Sequence, residues 1–374
     1  MNQEYAAIPK FGFGCMRLPL TDPKDQTSID MPQFSQMVDA FLEAGGTYFD
    51  TAYLYHEGAS ETALREALVE RHPRESFQIA TKNPGARAGS PEEARACLET
   101  SMERLGVDYV DFYLLHNLGA ERVAEFEDYG MWEFLRQKKA EGVVRNAGFS
   151  LHDGPDVLDR LLTEHPWVDF VQLQVNYLDW ENPVIQSRAL MEVAVKHGKP
   201  VVIMEPVRGG RLADLPERAA APLRAVRPDA PLASWAYRFC WNLPGVITVL
   251  SGASTIEQMR QNAQAFKGPH AFSAEEQAAL DAAIEALNSV PTIPCTNCGY
   301  CLKGCPQQVA IPIILMLRNL ETVMGDGALS KHNYQWQATP GKASDCIECG
   351  ACEAVCPQSI PIIEHLRDAA QRYE

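Results

Sequence analysis

Eight of the chain's 11 cysteines fall between Cys295 and Cys356, in two runs of one pattern. The first is Cys295, Cys298, Cys301 and Cys305, closed by Pro306; the second is Cys346, Cys349, Cys352 and Cys356, closed by Pro357. Three thiolates, each two residues from the next, can wrap one face of a 4Fe-4S cube. The fourth cannot reach the same cube comfortably and ligates the other one. The spacing therefore expects Cys295, Cys298, Cys301 and Cys356 on one cluster, and Cys346, Cys349, Cys352 and Cys305 on a second. Both runs continue alike, Pro306-Gln307-Gln308-Val309-Ala310-Ile311-Pro312 and Pro357-Gln358-Ser359-Ile360-Pro361, an internal repeat with an offset of about 51 residues. Paired Cys-x-x-Cys also suits structural zinc, which is the alternative. Two clusters in one small domain serve as an electron relay, or as structural elements whose assembly drives folding.

Four titratable residues upstream form a second set: Asp50, Tyr55, Lys82 and His116. A tyrosine is a poor acid near neutral pH, with an ordinary pKa of about 10. A lysine ammonium beside it stabilises the phenolate and lowers that value. Asp50 would hold Lys82 in place and charged. His116 could orient a carbonyl oxygen, to which Tyr55 donates a proton as hydride reaches the carbon. Singly, each has a plainer reading: Asp50 as a helix cap, Lys82 as a solvated lysine, His116 as a satisfied buried histidine. Only joint placement makes them a site.

That placement comes from the strands. Short apolar runs alternate with longer amphipathic ones up to about Ala265. The expected strands are Phe11–Arg17, Thr47–Asp50, Phe77–Thr81, Asp111–Leu115, Val144–Phe149, Phe170–Val175, Val201–Met204 and Val246–Leu250. Expected helices include Pro32–Ala44, ended by Gly45-Gly46, one opened by Ser90-Pro91-Glu92-Glu93 and closed near Gly106, and Thr255–Phe266. Eight βα units in about 265 residues is the size of a (β/α)8 TIM barrel. A doubly wound sheet is the runner-up, but no Gly-x-Gly-x-x-Gly joins a first strand to a first helix. In a barrel, catalytic groups sit at the C-terminal strand ends. Asp50, Lys82 and His116 fall at the ends of strands two, three and four, with Tyr55 five residues beyond Asp50. Cys15, Cys97 and Cys240 read as packing residues.

The fold class is thus α/β, a TIM barrel followed by a small, mostly helical ferredoxin-like iron–sulfur domain. The expected organisation is a barrel over 1–270, a connecting helix and linker over 271–290, including Ala274–Asn288, and the cysteine domain over 291–374. In that last domain an apolar helix is expected at Ile311–Val323, then a polar stretch to Lys342, and a terminal helix from Ile360. The net charge of −16 argues against nucleic acid, whose phosphates need clustered Lys and Arg, and against an anionic membrane surface. No apolar stretch approaches the roughly 20 residues of a membrane span. The first ten residues carry Glu4 and no signal-peptide core. A cytoplasmic protein is the expectation.

The cysteine segment resembles a bacterial two-cluster ferredoxin, with an insert of about 40 residues between its runs. Phe11 to Phe266 resembles the aldo-keto reductase superfamily. Phe49-Asp50-Thr51-Ala52 with Tyr55 and Ser60-Glu61, then Ala80-Thr81-Lys82, then Leu114-Leu115-His116 carry that resemblance. It implies nicotinamide contacts at Ser150, Gln172 and Asn176. It implies a pyrophosphate loop at Glu205, Val207, Gly209 and Gly210, and an adenosine-phosphate loop at Ser251, Ala253, Gln258 and Asn262. His56 departs from the Gly that often follows the family's tyrosine, and Met204 stands where an aromatic often stacks on nicotinamide. Gly252 and Gln258 replace the usual cations of the 2′-phosphate loop, leaving Arg260 as the nearest. NADPH is therefore only modestly preferred over NADH.

A small-molecule carbonyl or alcohol substrate follows from the resemblance, and a redox-protein partner from the clusters. Hydride carries two electrons and each cluster one, so exchange between them needs a converter such as flavin, for which no motif is visible. Three readings stand: an enzyme coupling barrel chemistry to electron transfer, a carbonyl reductase with structural or oxygen-sensing clusters, and a non-enzymatic electron-transfer subunit.

Overall fold

A computed structural model of the chain describes residues 3–119 and 122–374. Eight parallel strands close into a barrel in chain order. They are β1 (Phe11–Gly14), β2 (Tyr48–Asp50), β3 (Gln78–Asn83), β4 (Val110–Leu118), β5 (Val144–Leu151), β6 (Phe170–Gln174), β7 (Val201–Met204) and β8 (Val246–Ser251). All eight expected strands are present, Val201–Met204 with its bounds unchanged and the others with one or both ends shifted. Cys15–Arg17 leaves β1 as a single 3-10 turn. β4 and β5 run past their expected ends, because Asn117 takes a left-handed turn (φ 61°) and its N–H donates to Ser150 Oγ at 2.7 Å.

Strand side chains alternate, so every second residue faces the barrel axis. Tyr48, Ala80, Phe112, Leu114, Phe170, Val202 and Leu250 form one buried interior cluster. Two residues further along the same face come Asp50, Lys82, His116, Gln172 and Met204. The apolar axis is thus capped by a polar layer at the C-terminal mouth. At the other end Tyr5 packs against the interior and donates to Asn146 Oδ1 at 2.6 Å. The outer faces of the strands bury Phe11, Phe13 and Phe49 against Phe34 and Phe41 of the helix Met31–Glu43.

The helix starts follow their sequence signals. Asp30, Ser90, Thr255 and Ser273 each accept an N–H three residues on and cap Met31–Glu43, Pro91–Leu105, Ile256–Lys267 and Ala274–Asn288. Ser273 completes a capping box with Glu276.

The chain divides into two compact units. One comprises residues 1–213 and 231–272, the other 214–230 and 273–374. In the second unit the helix Glu217–Val226 and the expected connector Ala274–Asn288 come together with the cysteine runs. Its core joins Ile311, Ile314, Leu315 and Leu317 of the helix Ile311–Met324 to Tyr334, Ile362, Leu366 and Tyr373. The expected polar stretch holds a helix, Gly327–Gln337, capped by Asp326. It buries only Ser330 and Tyr334, too narrow a face to show as periodicity.

Gly148 of β5 has no room for a side chain: a Cβ there would lie 2.5 Å from the Phe170 carbonyl oxygen. Gly148→Ala should lower stability by about 1–3 kcal/mol, read as a lower urea midpoint; an unchanged midpoint would contradict this packing.

Candidate active site and cysteine chambers

Lys82, 1% exposed, is the centre of the barrel mouth. Its Nζ donates to Asp50 Oδ1 and to the Thr51 carbonyl, both at 2.6 Å. The second oxygen of Asp50 accepts from Gln172 Nε2 at 3.0 Å. Tyr55 lies over this pair, with Lys82 Nζ 4.7 Å from its ring centre. The His116 ring meets Tyr55 edge to face at 5.7 Å. All four expected catalytic residues therefore converge.

Ser60 and Glu61 hold this arrangement from behind. Ser60 Oγ donates to the Cys15 carbonyl at 3.1 Å and lies 2.9 Å from Thr51 Oγ1. Buried Glu61 accepts from Thr81 Oγ1 at 2.6 Å and pairs with Arg104 at 3.2 Å. The ends of β1, β2 and β3 are tied together this way. His56, left-handed at φ 52°, accepts from the Leu18 N–H at 3.1 Å and bonds the Gln26 carbonyl through Nδ1 at 2.8 Å. It fixes the loop after β1 to the Tyr55 turn, a role glycine could not fill.

Charge states follow from burial. Burial raises the Asp50 pKa, and Lys82 and Gln172 only partly offset it. Burial would lower that of Lys82, but Asp50 and Tyr55 outweigh it and raise it. For Tyr55, burial raises the value more than Lys82 lowers it. This corrects the expectation that Lys82 brings Tyr55 below its ordinary pKa: the ammonium is shared with Asp50, and the phenol stays protonated. Burial, then Lys82 and neighbouring cations, hold His116 neutral.

The residues expected around a nucleotide divide. Gln172 and Ser150 line the mouth, both buried. Asn262 Nδ2 donates to Ser251 Oγ at 2.9 Å, and Gln258 Oε1 accepts from the Ser254 N–H at 2.8 Å. Ala253 is buried beside them. Glu205, Val207, Gly209 and Gly210 form the loop after β7, left-handed at Glu205, Gly209 and Gly210.

Asn176 departs from its expected role. Its Nδ2 donates to Asp179 (2.8 Å) and the Glu205 carbonyl (3.1 Å), and its Oδ1 accepts the N–H groups of Leu178 and Asp179. With both donors and both acceptor sites occupied, Asn176 shapes the loop and has no hydrogen bond left for nicotinamide. Buried Asp179 also pairs with Arg208 at 2.9 Å. Arg17, expected only as the end of a strand, lies 3.5 Å from Glu205. Its guanidinium is 3.4 Å and 3.9 Å from where Cβ atoms on Gly209 and Gly252 would stand. A cation beside two bare glycines, near the start of the helix Ile256–Lys267, fits the pyrophosphate of a dinucleotide.

In the second unit the cysteines line two apolar chambers. One is walled by Cys346, Cys349 and Cys352 with Cys305, the other by Cys295, Cys298 and Cys301 with Cys356. Ile311 lines both, and Leu315 lies under the second. Among the described residues no three His, Cys, Asp or Glu converge as a single metal ion requires. Four thiols spread round an apolar chamber suit a cluster better than zinc. The repeat extends to the backbone. Asn297 and Glu348 are left-handed (φ 56° and 58°), as are Gly299 and Gly350 (73° and 76°), then Gln308 and Ser359 (51° and 52°). Short helices Tyr300–Lys303 and Ala351–Ala354 carry the third cysteines.

An eight-stranded parallel barrel with a Lys–Asp pair under a tyrosine and a histidine defines a barrel oxidoreductase. The comparisons give its family. Residues 10–285 match the aldo/keto reductase family model, and residues 294–361 match a 4Fe-4S dicluster domain. The chain belongs to the aldo/keto reductase family and is an oxidoreductase. It is 33% identical over 188 residues to probable aldo-keto reductase 1 of Glycine max, across 47% of this chain and 50% of that protein. The match thus spans half of that relative's length. It is 27% identical to the uncharacterized oxidoreductase YqkF of Bacillus subtilis, over 69% of this chain and 87% of that one. The holo form of aldo-keto reductase AKR11C1 from Bacillus halodurans superposes with a TM-score of 0.58 at 28% identity, covering 74% and 92% of the two chains. The fold is also that of a Klebsiella pneumoniae aldo/keto reductase solved with NADP and acetate (TM-score 0.57, 24% identity, 73% and 90% covered). Among the described residues no helix is long and apolar enough to cross a membrane.

With His116 neutral and Tyr55 protonated, kcat/KM for carbonyl reduction should stay level from about pH 7 to about pH 9. An ionisation within that window would contradict these charge states.

Proposed function

We propose that the barrel reduces a small-molecule carbonyl to its alcohol with NADPH or NADH, reversibly. We further propose that the cysteine chambers hold two 4Fe-4S clusters that pass electrons singly to a redox-protein partner. The Lys82–Asp50 pair beneath Tyr55 carries the first half of this reading; the four-cysteine chambers carry the second. The neutral His116 ring orients the substrate oxygen, and Tyr55 donates its hydroxyl proton to it. Lys82 stabilises the phenolate that remains, held charged by Asp50, and solvent returns the proton to Tyr55. Gln172 and Ser150 would hold the carboxamide, and Ser251, Gln258 and Asn262 the adenosine end. The nicotinamide, when bound, supplies the hydride.

Crossed ligation, with Cys356 completing the set Cys295, Cys298 and Cys301, and Cys305 completing the set Cys346, Cys349 and Cys352, would bind the two runs into one fold. The Val309 N–H donates to Cys305 Sγ at 3.4 Å, a contact of the kind that tunes cluster potential. A flavin is the class of converter that would join hydride chemistry to this relay.

The halves can be separated in one anaerobic experiment on reconstituted protein. Tyr55→Phe should lose carbonyl reduction by about 10²–10⁴-fold, while dithionite still develops the EPR signals of reduced clusters. Added flavin should let NADPH develop those signals too. Full carbonyl turnover in Tyr55→Phe would reject the proton donor, and clusters that no reductant changes would reject the relay.

A further inference from the structure

Beyond the reaction class lies the question of which carbonyl compounds the mouth admits. Two arginines stand on the loops beside His116. Arg87 is on the turn Gly85–Ala88 that follows β3. Arg122 immediately precedes the helix Val123–Asp128 in the segment after β4. These segments pack directly on each other: a Cβ on Gly85 would come within 2.6 Å of the Phe126 ring. Arg122 is tied to the catalytic strand, since its Nη1 donates to the carbonyl of Asn117, the residue after His116, at 3.0 Å. Asn117 is itself fixed by its N–H on Ser150 Oγ. The guanidinium is therefore held beside the reacting centre.

The charge balance there is unusual for a chain of net charge −16. The Arg122 side chain is only 21% exposed, and among the described residues its nearest carboxylate is Glu125, at 3.9 Å on the rim. Asp153 lies nearby behind Gly119. Burial, and then the like charge of Arg87, lower the pKa of Arg122, with Glu125 only partly offsetting them. After burial, the cations that most lower the pKa of His116 are Lys82, Arg122 and Arg87, while His152 is itself held neutral by burial. Two like charges, one of them mostly buried, repel each other, and an anion between them would relieve that repulsion.

Resting on the carbonyl-reductase reading, we propose that Arg87 and Arg122 form a carboxylate subsite, so that the substrates are carbonyl compounds bearing a carboxylate. The planar guanidinium fork matches a carboxylate in two parallel hydrogen bonds. The anion is anchored on the β3 and β4 loops while its carbonyl reaches Tyr55 and His116.

The test pairs 4-carboxybenzaldehyde with its neutral methyl ester on the full-length holoenzyme. Wild type should favour the acid in kcat/KM by about tenfold or more, mainly through KM. Arg87→Gln and Arg122→Gln should collapse that ratio, and Arg122→Lys should restore part of it. Binding is read independently of turnover by calorimetric titration with terephthalate, a dicarboxylate, against benzamide. Terephthalate should bind wild type at least about tenfold more tightly than the arginine variants, with thermal melting reporting that the variants are folded. A ratio near one in wild type, or terephthalate affinity indifferent to both arginines, overturns the subsite. Should neither aldehyde be turned over while terephthalate binds through the arginines, the carbonyl-reductase reading fails and the anion subsite stands.

Discussion

A charged lysine and a charged aspartate sit almost without solvent at the top of the barrel axis, and the site is built around that fact. Neither charge could be buried alone, since desolvation of an isolated ion far exceeds what packing returns. Together at 2.6 Å they satisfy each other, with the Thr51 carbonyl and Gln172 Nε2 filling the remaining positions. The pair demands that β2, β3 and β6 keep their register, because a slip by one residue would turn Asp50, Lys82 or Gln172 out of the axis. The same demand orders the surroundings: Ser60, Thr51, Glu61 and Thr81 lock the strand ends so that Tyr55 lies over the ammonium.

Much of this was legible in the sequence, for reasons of periodicity. Strand alternation places Asp50, Lys82 and His116 two residues above an apolar layer. The short cysteine spacing repeats with its flanking Pro-Gln, and the backbone repeats with it down to paired left-handed residues. What escaped depends on distant partners. Arg17 meets Glu205 across 188 residues, and Arg208 meets Asp179 only once the loops after β6 and β7 fold together. Asn176 matched a family position, yet its hydrogen bonds are consumed by its own loop and by the Glu205 carbonyl of the loop after β7. The direction of the Tyr55 shift turns on burial competing with a shared ammonium, which residue types alone cannot weigh.

On the proposed reading the two units would handle electrons in different denominations. The barrel would move a proton and a hydride together, with one acid held protonated and one imidazole held neutral. The chambers would pass single electrons: their walls are apolar, while Cys298 and Cys349 are exposed, giving each chamber a thiol at the surface. Ile311, lining both chambers, stands in the wall they share.

The central claim is that reduction in the barrel is direct hydride transfer with Tyr55 as acid. The measurement that reaches it most directly is isotopic: nicotinamide cofactor deuterated at both C4 positions, turned over with an aldehyde in ordinary water, and the alcohol analysed by mass and NMR. Deuterium at the carbinol carbon and solvent hydrogen on the oxygen is the predicted result. Solvent hydrogen at the carbinol carbon would mean that electrons and protons arrive separately, and would contradict the account.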